Sequence, residues 1–353
     1  MLLDAAGVWS KAWPILLAIL FFGVIILIHE LGHFTVAKLS GIKVNEFAIG
    51  MGPKLLSFGK GETKYSLRLI PMGGYVQMEG EDEASEDERA FNQKPVWKRF
   101  LVVIAGAVMN IILGLVLVAI LLTQQNLIGT TQIAGFHENA SSQSSGLQEG
   151  DVITHINGTS VWSDRDISFL MARDRDGVID FTVKRDGQKT ELKNVKFDTR
   201  EVDGQTVITF DFIIIGENKT FWNVLKTSFL ETASMARLVW LSLFDLVTGR
   251  FGLSDLAGPV GTVSVIAEAT TSGGFLNALS LMAFITINIG VFNLLPIPGL
   301  DGGRLFFLII EGIRRKPINP KREGMIHAIG LVLMFALIAV VTFNDILRLI
   351  RGG

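Results

Sequence analysis

The chain has 353 residues, of which 49% are hydrophobic and only 19% charged, whereas a soluble globular chain carries about 25% charged residues. A formal net charge of −2 provides no electrostatic basis for binding nucleic acid. The absence of cysteine excludes disulfides, thiolate metal sites and thiol nucleophiles. This composition predicts a membrane protein with some soluble mass.

Four stretches approach the roughly 20 apolar residues that cross a bilayer, and the apolar run of the first is too long for a signal peptide. They predict a membrane α-helical fold with four transmembrane helices and an inserted extracytoplasmic β-rich domain. The predicted boundaries are 1–36 for the first helix, 37–98 for a cytosolic loop, 99–123 for the second helix, 124–216 for the β-rich domain, 217–274 for an interfacial amphipathic helix and linker, 275–312 for the third span, 313–325 for a second cytosolic loop, and 326–353 for the fourth helix and C-terminus.

The distribution of Lys and Arg predicts the orientation. The loop between spans one and two and the loop between spans three and four are both rich in basic residues. Because such loops stay in the cytoplasm, both termini and the β-rich domain are predicted to lie outside. The acidic run from Glu79 to Glu88 predicts a solvated, mobile linker.

The inserted region has the pattern of a small β-rich module. Residues 128–215 alternate apolar and polar positions, and Asn157-Gly158 and Arg185-Asp186-Gly187 are typical of tight hairpin turns. The following stretch, Phe221 to Thr248, has helical periodicity, but its apolar run is too short to span a membrane. It predicts a helix in the interface plane, with three aromatic anchors: Trp222, Trp240 and Phe244.

The first span ends in the sequence HELGH, residues 29–33. On a helix, His29 and His33 point from one face, and the pattern is that of zinc metalloproteases with Glu30 as the base. Three ionisable side chains at the end of an apolar span are costly unless they are paired or bind metal. The alternative is a pair of core histidines satisfied by neighbouring groups.

Catalytic zinc usually has three protein ligands, and without cysteine the third must be His, Asp or Glu. His137 and His155 belong to the external module. His327 begins the fourth span and remains possible. Asp301 is the better candidate, because it follows Pro296 and Pro298 in a broken segment that only protein or a water-filled cavity can shelter at membrane depth. The alternative is a helix-capping Asp in a loop.

HELGH together with NLLPIPGLDGGR, residues 293–304, resembles the site-2 protease family of intramembrane zinc metalloproteases. More narrowly it resembles the RseP-type branch, which contains an inserted PDZ domain. The likeness covers nearly the whole chain, including residues 41–53, 68–76, 91–99 and 258–261. Residues 68–76 match the membrane-associated β-hairpin of that branch, so the resemblance implies a cytosolic-side membrane-associated β-hairpin within residues 37–98. Ser145 to Ile153 followed by Ile156-Asn157-Gly158 resembles the core of a single bacterial PDZ domain. Ala107 and Gly299 depart from the Pro and Ala that are usual there.

The resemblance implies a role for each matching residue. His29, His33 and Asp301 match the zinc ligands, Glu30 the catalytic base, and Asn293 an asparagine near the scissile peptide. Six residues are assigned to substrate binding: Gly73, Gly74, Tyr75, Asn110, Pro296 and Pro298.

The implied function is zinc-dependent intramembrane proteolysis in the bacterial inner membrane, with the active site toward the cytoplasm. Single-pass membrane proteins such as anti-sigma factors, or signal-peptide remnants, are the implied substrates. The PDZ domain would either bind a peptide or a substrate ectodomain or act as a size filter that blocks bulky substrates. One alternative is a PDZ-bearing membrane scaffold without protease activity. Another is a membrane-embedded metalloprotease that cuts soluble or misfolded proteins at the surface.

Overall fold

A computed structural model describes residues 5–81, 83, 85–202, 205–249 and 258–351. The chain divides into two compact units, Met1–Leu117 with Leu241–Gly353, and Val118–Trp240. Within the described residues, four helices are long and apolar enough to cross a membrane, which confirms the four predicted membrane helices. These segments are Trp13–Leu39, Val96–Gln124, Gly274–Asn293 and Lys321–Leu347.

The helices are α1 (Ala5–Leu39), α2 (Val96–Gln124), α3 (Ser141–Ser144), α4 (Asp164–Ala172), α5 (Phe221–Val247), α6 (Pro259–Asn293), α7 (Asp301–Arg314) and α8 (Pro320–Arg351). The strands are β1 (Val44–Phe58), β2 (Lys64–Met78), β3 (Ile128–Phe136), β4 (Val152–Ile156), β5 (Thr159–Ser160), β6 (Val178–Arg185), β7 (Gln188–Lys196), β8 (Thr199–Val202), β9 (Gln205–Ile208) and β10 (Phe212–Glu217).

The hairpin of β1 and β2 follows the first membrane helix. The start of β1 lies between two parts of β2, because Phe47 is paired with both Val76 and Tyr65. A buried cluster joins this part of the hairpin to α1, α2 and α7, with Phe47, Val76 and Leu305 among its members. The first half of β1 is therefore the inner strand, and residues 74–78 of β2 pair on one side only.

A charged network stabilises the hairpin around Glu46, which is 7% exposed. Its carboxylate accepts hydrogen bonds from Ser66 Oγ at 2.5 Å, Lys54 Nζ at 3.0 Å and Arg68 Nη2 at 3.1 Å. Burial by itself would raise the pKa of Glu46, but these hydrogen bonds outweigh it and lower the pKa to about 2. The ionised carboxylate is therefore the form that the folded hairpin stabilises.

We expect the hairpin to be acid-sensitive through Glu46. Because the folded pKa is depressed, its stabilising contribution is complete above about pH 4.5 and is lost as the pH falls toward 2. Glu46→Gln should lower the free energy of unfolding at pH 7 by up to about 3 kcal/mol. The difference in this free energy between the variant and wild type should become smaller as the pH falls. Thermal unfolding of the purified protein between pH 7 and pH 3 measures this.

The exposed Glu62 provides a matched control for this prediction. It pairs with Lys38 at 2.7 Å and Arg89 at 2.6 Å, and surface pairs of this kind contribute little. Glu62→Gln should therefore change the melting temperature much less than Glu46→Gln at pH 7. Equal effects of the two substitutions would contradict the proposed importance of the buried network.

The second unit contains an antiparallel sheet in the order β10, β3, β4, β6, β7, with β5 paired to β4. Both predicted turns are confirmed, since β4 pairs antiparallel with β5 across Asn157-Gly158 and β6 with β7 across Asp186-Gly187. All four of these residues have positive φ, which is the conformation of the type I′ hairpin turn. The β-rich region is thus confirmed, whereas its identity as a PDZ domain stays a prediction.

Helix α5 packs on this sheet unit through polar side chains. Glu231 accepts a hydrogen bond from Arg165 Nε at 2.8 Å, and Arg237 Nη2 lies 3.0 Å from Asp166. Its predicted anchors are exposed, with Trp222 at 72% and Phe244 at 65%. This distribution is that of an amphipathic helix, and its contact with lipid stays a prediction.

Two stretches differ from the sequence-based expectation. Residues 259–273, predicted as linker, are helical and belong to α6, which is interrupted at Gly274 where φ is 66°. The start of α6 is capped by Asp345 of α8, which accepts a hydrogen bond from the Gly261 N–H at 2.8 Å. A side chain distant in sequence satisfies the free N–H groups of this helix end, so the local pattern does not reveal it.

The acidic run is also more ordered than a solvated linker. Asp82 and Ala84 lie outside the described residues. Of the remainder, Asp87 pairs with Lys43 at 3.4 Å, Glu79 accepts a hydrogen bond from Asn45 at 2.9 Å, and Glu81 pairs with Arg304 of α7. These three partners come from other segments of the chain, so part of the run is held by contacts with the folded protein.

Candidate metal centre

Helix α1 presents the two histidines of the HELGH motif. One helical turn separates His29 and His33, and their Nε2 atoms lie 3.1 Å apart. The i, i+4 spacing places both rings on one helix face, where their planes are nearly perpendicular at 83°. The predicted pair therefore converges on a single point.

Asp301 reaches that point from the other end of the sequence. Helix α6 ends at Asn293, and α7 begins at Asp301, so the chain is broken between them where Pro296 and Pro298 lie. The Asp301 Oδ2 atom lies 3.2 Å from His29 Nε2 and 3.3 Å from His33 Nε2. The structure thus unites the residues predicted as ligands.

The arrangement fits a zinc ion. Two ligand atoms about 2.05 Å from a tetrahedral zinc ion lie about 3.3 Å apart, which matches the three separations. Asp301 Oδ2 is buried and forms no hydrogen bond with a described residue, although the imidazoles of His29 and His33 lie near it. Among the described residues, His29, His33 and Asp301 form the one His, Asp and Glu group compact enough to hold a metal ion.

A backbone carbonyl sets the tautomer of His33. Its Nδ1 atom lies 2.8 Å from the carbonyl oxygen of Val102 in α2. Because a carbonyl only accepts, Nδ1 must carry the proton, and Nε2 is left unprotonated for a metal. Such outer partners orient metal-binding imidazoles in proteins.

Asn110 has the same relation to His29. Its amide nitrogen lies 3.3 Å from His29 Nδ1, and its Oδ1 is buried without a partner among the described residues. The amide oxygen and nitrogen of Asn are nearly equivalent in size and position. If the amide is turned over, Oδ1 accepts a hydrogen bond from the His29 Nδ1–H, and both Oδ1 and Nδ1 have a partner. Asn110 thus contacts the predicted ligand His29, and its assignment to substrate binding stays a prediction.

Two glycines allow α1 and α2 to approach at the centre. A Cβ atom on Gly106 would collide with His33 Nε2 and lie 2.7 Å from His29 Cε1. A Cβ atom on Gly32 would lie 2.5 Å from the Ala105 carbonyl oxygen. Small residues at such positions are typical of close helix contacts in membranes, so Gly106 provides the space that the imidazoles occupy.

Strand β2 passes directly beside Glu30. A Cβ atom on Gly74 would lie 3.1 Å from Glu30 Cγ and 3.0 Å from the Ala48 carbonyl oxygen, and the Val76 N–H faces the Glu30 carboxylate. Gly73 has φ of 87°, a conformation that favours glycine. The predicted glycines therefore bring a strand backbone against the predicted base.

Tyr75 faces the other side of the strand. Its ring lies 4.9 Å from the Arg68 guanidinium, and its hydroxyl is hydrogen-bonded to Arg68. Burial raises the pKa of Tyr75, and a hydrogen bond to Glu46 raises it further. The hydroxyl thus belongs to the Glu46 network, and a direct contact of Tyr75 with substrate stays a prediction.

Asn293, Pro296 and Pro298 lie at or after the end of α6. Asn293 is half-buried, and its side chain forms no hydrogen bond with another described residue. Pro296 is exposed and Pro298 is half-buried. All three side chains therefore have accessible surface that would allow contact with substrate. Their assignment to substrate contacts remains a prediction.

Two contributors to the centre were not predicted from the sequence. Gly106 stands between Ala105 and Ala107 in an apolar helix, and small residues of this kind are a signal for close helix packing. The Val102 carbonyl has no side-chain signal at all. His327, which was considered as a ligand, lies instead against the backbone before Asp301, with Nδ1 3.0 Å from the Gly299 nitrogen.

Comparisons with known proteins point in the same direction as this geometry. The family described as Peptidase family M50 matches residues 17–337. A putative zinc metalloprotease of Clostridium acetobutylicum is 40% identical to this chain, over 94% of the chain and 97% of the relative. Another, from Clostridium perfringens, is 37% identical over 94% and 98%. The regulator of sigma-W protease RasP of Bacillus subtilis is 32% identical over 94% and 97%.

Proposed function

As a member of peptidase family M50, the site-2 protease family, this chain is a zinc-dependent metalloendopeptidase of a bacterial membrane, and we propose that it cuts single-pass membrane proteins within or near their transmembrane segments. The observation that supports this proposal is the depth of the centre. His29 and His33 lie inside the apolar span Trp13–Leu39, and their side chains are only 12% and 11% exposed.

Each residue of the centre has a defined task in peptide hydrolysis. His29, His33 and Asp301 would hold the zinc ion, which when bound acidifies water and polarises a peptide carbonyl. Glu30 accepts the proton of the attacking water and returns it to the leaving amine. Asn293 holds the substrate backbone or the developing oxyanion.

The hairpin supports a way of presenting substrate. A transmembrane helix hides its carbonyls in intrahelical hydrogen bonds, so the segment to be cut must first unwind. Residues 74–78 of β2 pair with β1 on one side, and Gly74 lies beside Glu30. We propose that the unwound segment adds to the free side of this strand, with its carbonyl brought to the base.

The B. subtilis relative is named a regulator of sigma-W protease, and this supports membrane-anchored regulators such as anti-sigma factors as substrates. Signal-peptide remnants share the same single-span character. We propose an inner-membrane location, with the centre toward the cytoplasm. The β-rich unit, with the PDZ-like Ser145–Ile153 segment, lies outside and binds a peptide or the substrate ectodomain.

A proteoliposome assay separates this function from the alternatives. The wild-type protein is reconstituted with a single-span substrate or with casein, and Glu30→Gln provides the inactive reference. We expect cleavage of the single-span substrate and none of casein. Cleavage of casein would favour the surface protease, and zinc binding without any cleavage would favour a scaffold.

The orientation is testable because the chain has no cysteine. Lys189 in the β-rich unit and Lys316 after α7 are both exposed, so Lys189→Cys and Lys316→Cys form a matched pair. In intact cells, a membrane-impermeant maleimide should label Cys at position 189 and should label position 316 only after lysis. The reverse pattern would invert the proposed topology.

A further inference from the structure

Helix α8 touches the turn that presents Asp301. The Gly299 N–H donates a hydrogen bond to His327 Nδ1 at 3.0 Å. A Cβ atom on Gly299 would lie 3.2 Å from the Leu331 nitrogen, and one on Gly330 would collide with the Pro298 carbonyl. His327, Gly330 and Leu331 lie on one face of the helix by their i, i+3 and i+4 spacing, so α8 contacts the turn along a continuous strip.

The contact defines the protonation of the His327 ring. Because Nδ1 accepts a hydrogen bond from the Gly299 N–H, the neutral ring carries its proton on Nε2. That Nε2 atom is buried without a hydrogen-bond partner in the described part of the chain, and Glu323 Oε1 is 4.0 Å away, one helical turn earlier.

Packing also restrains the ring. Its centroid lies 5.6 Å from that of Phe307 in α7, and a Cβ atom on Gly303 would come within 3.1 Å of His327 Cε1. His327 thus contacts the chain on both sides of Asp301, at Gly299 and Gly303. Its Nδ1 atom has a fixed place relative to the ligand turn.

Apart from the contact with His327, the backbone hydrogen bonds of the turn among the described residues are local. Gly299 has φ of 99°, which glycine adopts freely, and Leu300 N–H bonds to the Ile297 carbonyl at 3.1 Å within the same turn. Asp301 Oδ2 has no hydrogen bond to a described residue. The position of the carboxylate therefore depends on where the backbone of the turn is fixed.

We propose that His327 is a positioning residue that holds the Asp301 turn through the Gly299 N–H and so raises the affinity of the centre for zinc. The inference deepens the proposed function and rests on its zinc centre. Loss of an outer-shell partner typically costs 10–100-fold in metal affinity. His327 acts here through the backbone before the ligand instead of through the ligand itself.

Substitutions that keep or remove the Nδ1 acceptor test the proposal. Asn places its amide oxygen close to the position of His Nδ1, Gln places its amide near Nε2, and Leu has no polar atom. The full-length protein is purified in detergent as wild type, His327→Asn, His327→Gln and His327→Leu. His137→Leu, an exposed histidine of the other unit, serves as the matched control.

The readouts are zinc affinity by chelator competition and the visible absorption spectrum of the cobalt-substituted protein. We expect His327→Leu and His327→Gln to weaken zinc binding by about 10–100-fold and to alter the cobalt spectrum. His327→Asn should stay within about threefold of wild type, and His137→Leu should be unchanged. A purely structural role for the ring would make Asn and Leu equally damaging.

Equal zinc affinity of His327→Asn and His327→Leu, or wild-type affinity in His327→Leu, would overturn the inference while leaving the proposed function intact. A wild-type protein that binds no zinc would overturn both. Zinc binding by wild type with the expected order of variants, but without cleavage of a single-span substrate, would support this inference and overturn the proposed function.

Discussion

Glu30→Gln is expected to lower the rate of peptide cleavage by about a thousandfold, within the 10²–10⁴ range of general acid–base catalysis. The amide keeps the size of the side chain beside Gly74 but accepts no proton from water. The three ligand atoms of His29, His33 and Asp301 are untouched, so zinc content should equal that of wild type. Single-turnover cleavage of a single-span substrate and metal analysis of the same preparation measure both quantities.

The control is Glu138→Gln, a change of the same kind at an exposed position of the β-rich unit. It should leave both cleavage and zinc content unchanged. If Glu30→Gln retained more than about a tenth of the wild-type rate, Glu30 would lose its assignment as the base. A loss of zinc in that variant would instead place Glu30 among the residues that build the centre.

Asp301→Asn is expected to weaken zinc binding by at least about a hundredfold, the upper end of what loss of an outer-shell partner costs. The substitution removes the one anionic ligand, whose Oδ2 lies 3.2 Å from His29 Nε2. Cleavage should fall in proportion to the zinc that is lost. Chelator competition and activity at increasing zinc concentration measure the effect.

Added zinc distinguishes this variant from the previous one. Because Asp301→Asn retains both imidazoles and Glu30, excess zinc should restore part of its activity, whereas it should restore none in Glu30→Gln. Asp198→Asn, at an exposed aspartate of the β-rich unit, is the matched control and should behave as wild type. Wild-type zinc affinity in Asp301→Asn would remove Asp301 from the ligand set.

Several features of the protein follow from patterns that extend over a few residues. The four apolar spans follow from length and composition, because the cost of lipid-exposed polar groups acts on each segment separately. The Asn157-Gly158 and Asp186-Gly187 turns follow from residues that adopt positive φ. The pairing of His29 with His33 follows from the helical repeat, which brings residues four apart together wherever the helix lies.

The remaining features depend on contacts between distant segments, which no local period encodes. The network around Glu46, the cap that Asp345 provides for α6 and the ion pairs of the acidic run all join residues far apart in the chain. Local patterns predict helices and turns but do not show which charged side chains will meet after packing. The helical conformation of residues 259–273 was missed for the same reason.

The predicted metal centre combines features of both kinds, some local in sequence and some formed by distant segments. HELGH and the broken segment before Asp301 predict the chemistry from sequence, since a carboxylate and two imidazoles in apolar segments are costly unless they are paired or bind metal. Packing then determines which groups support them: Gly106 makes room for the rings, the Val102 carbonyl selects a tautomer at 2.8 Å, and His327 contacts the Asp301 turn instead of binding metal. These contacts act over a few ångströms between helices distant in sequence, so only the folded chain specifies them.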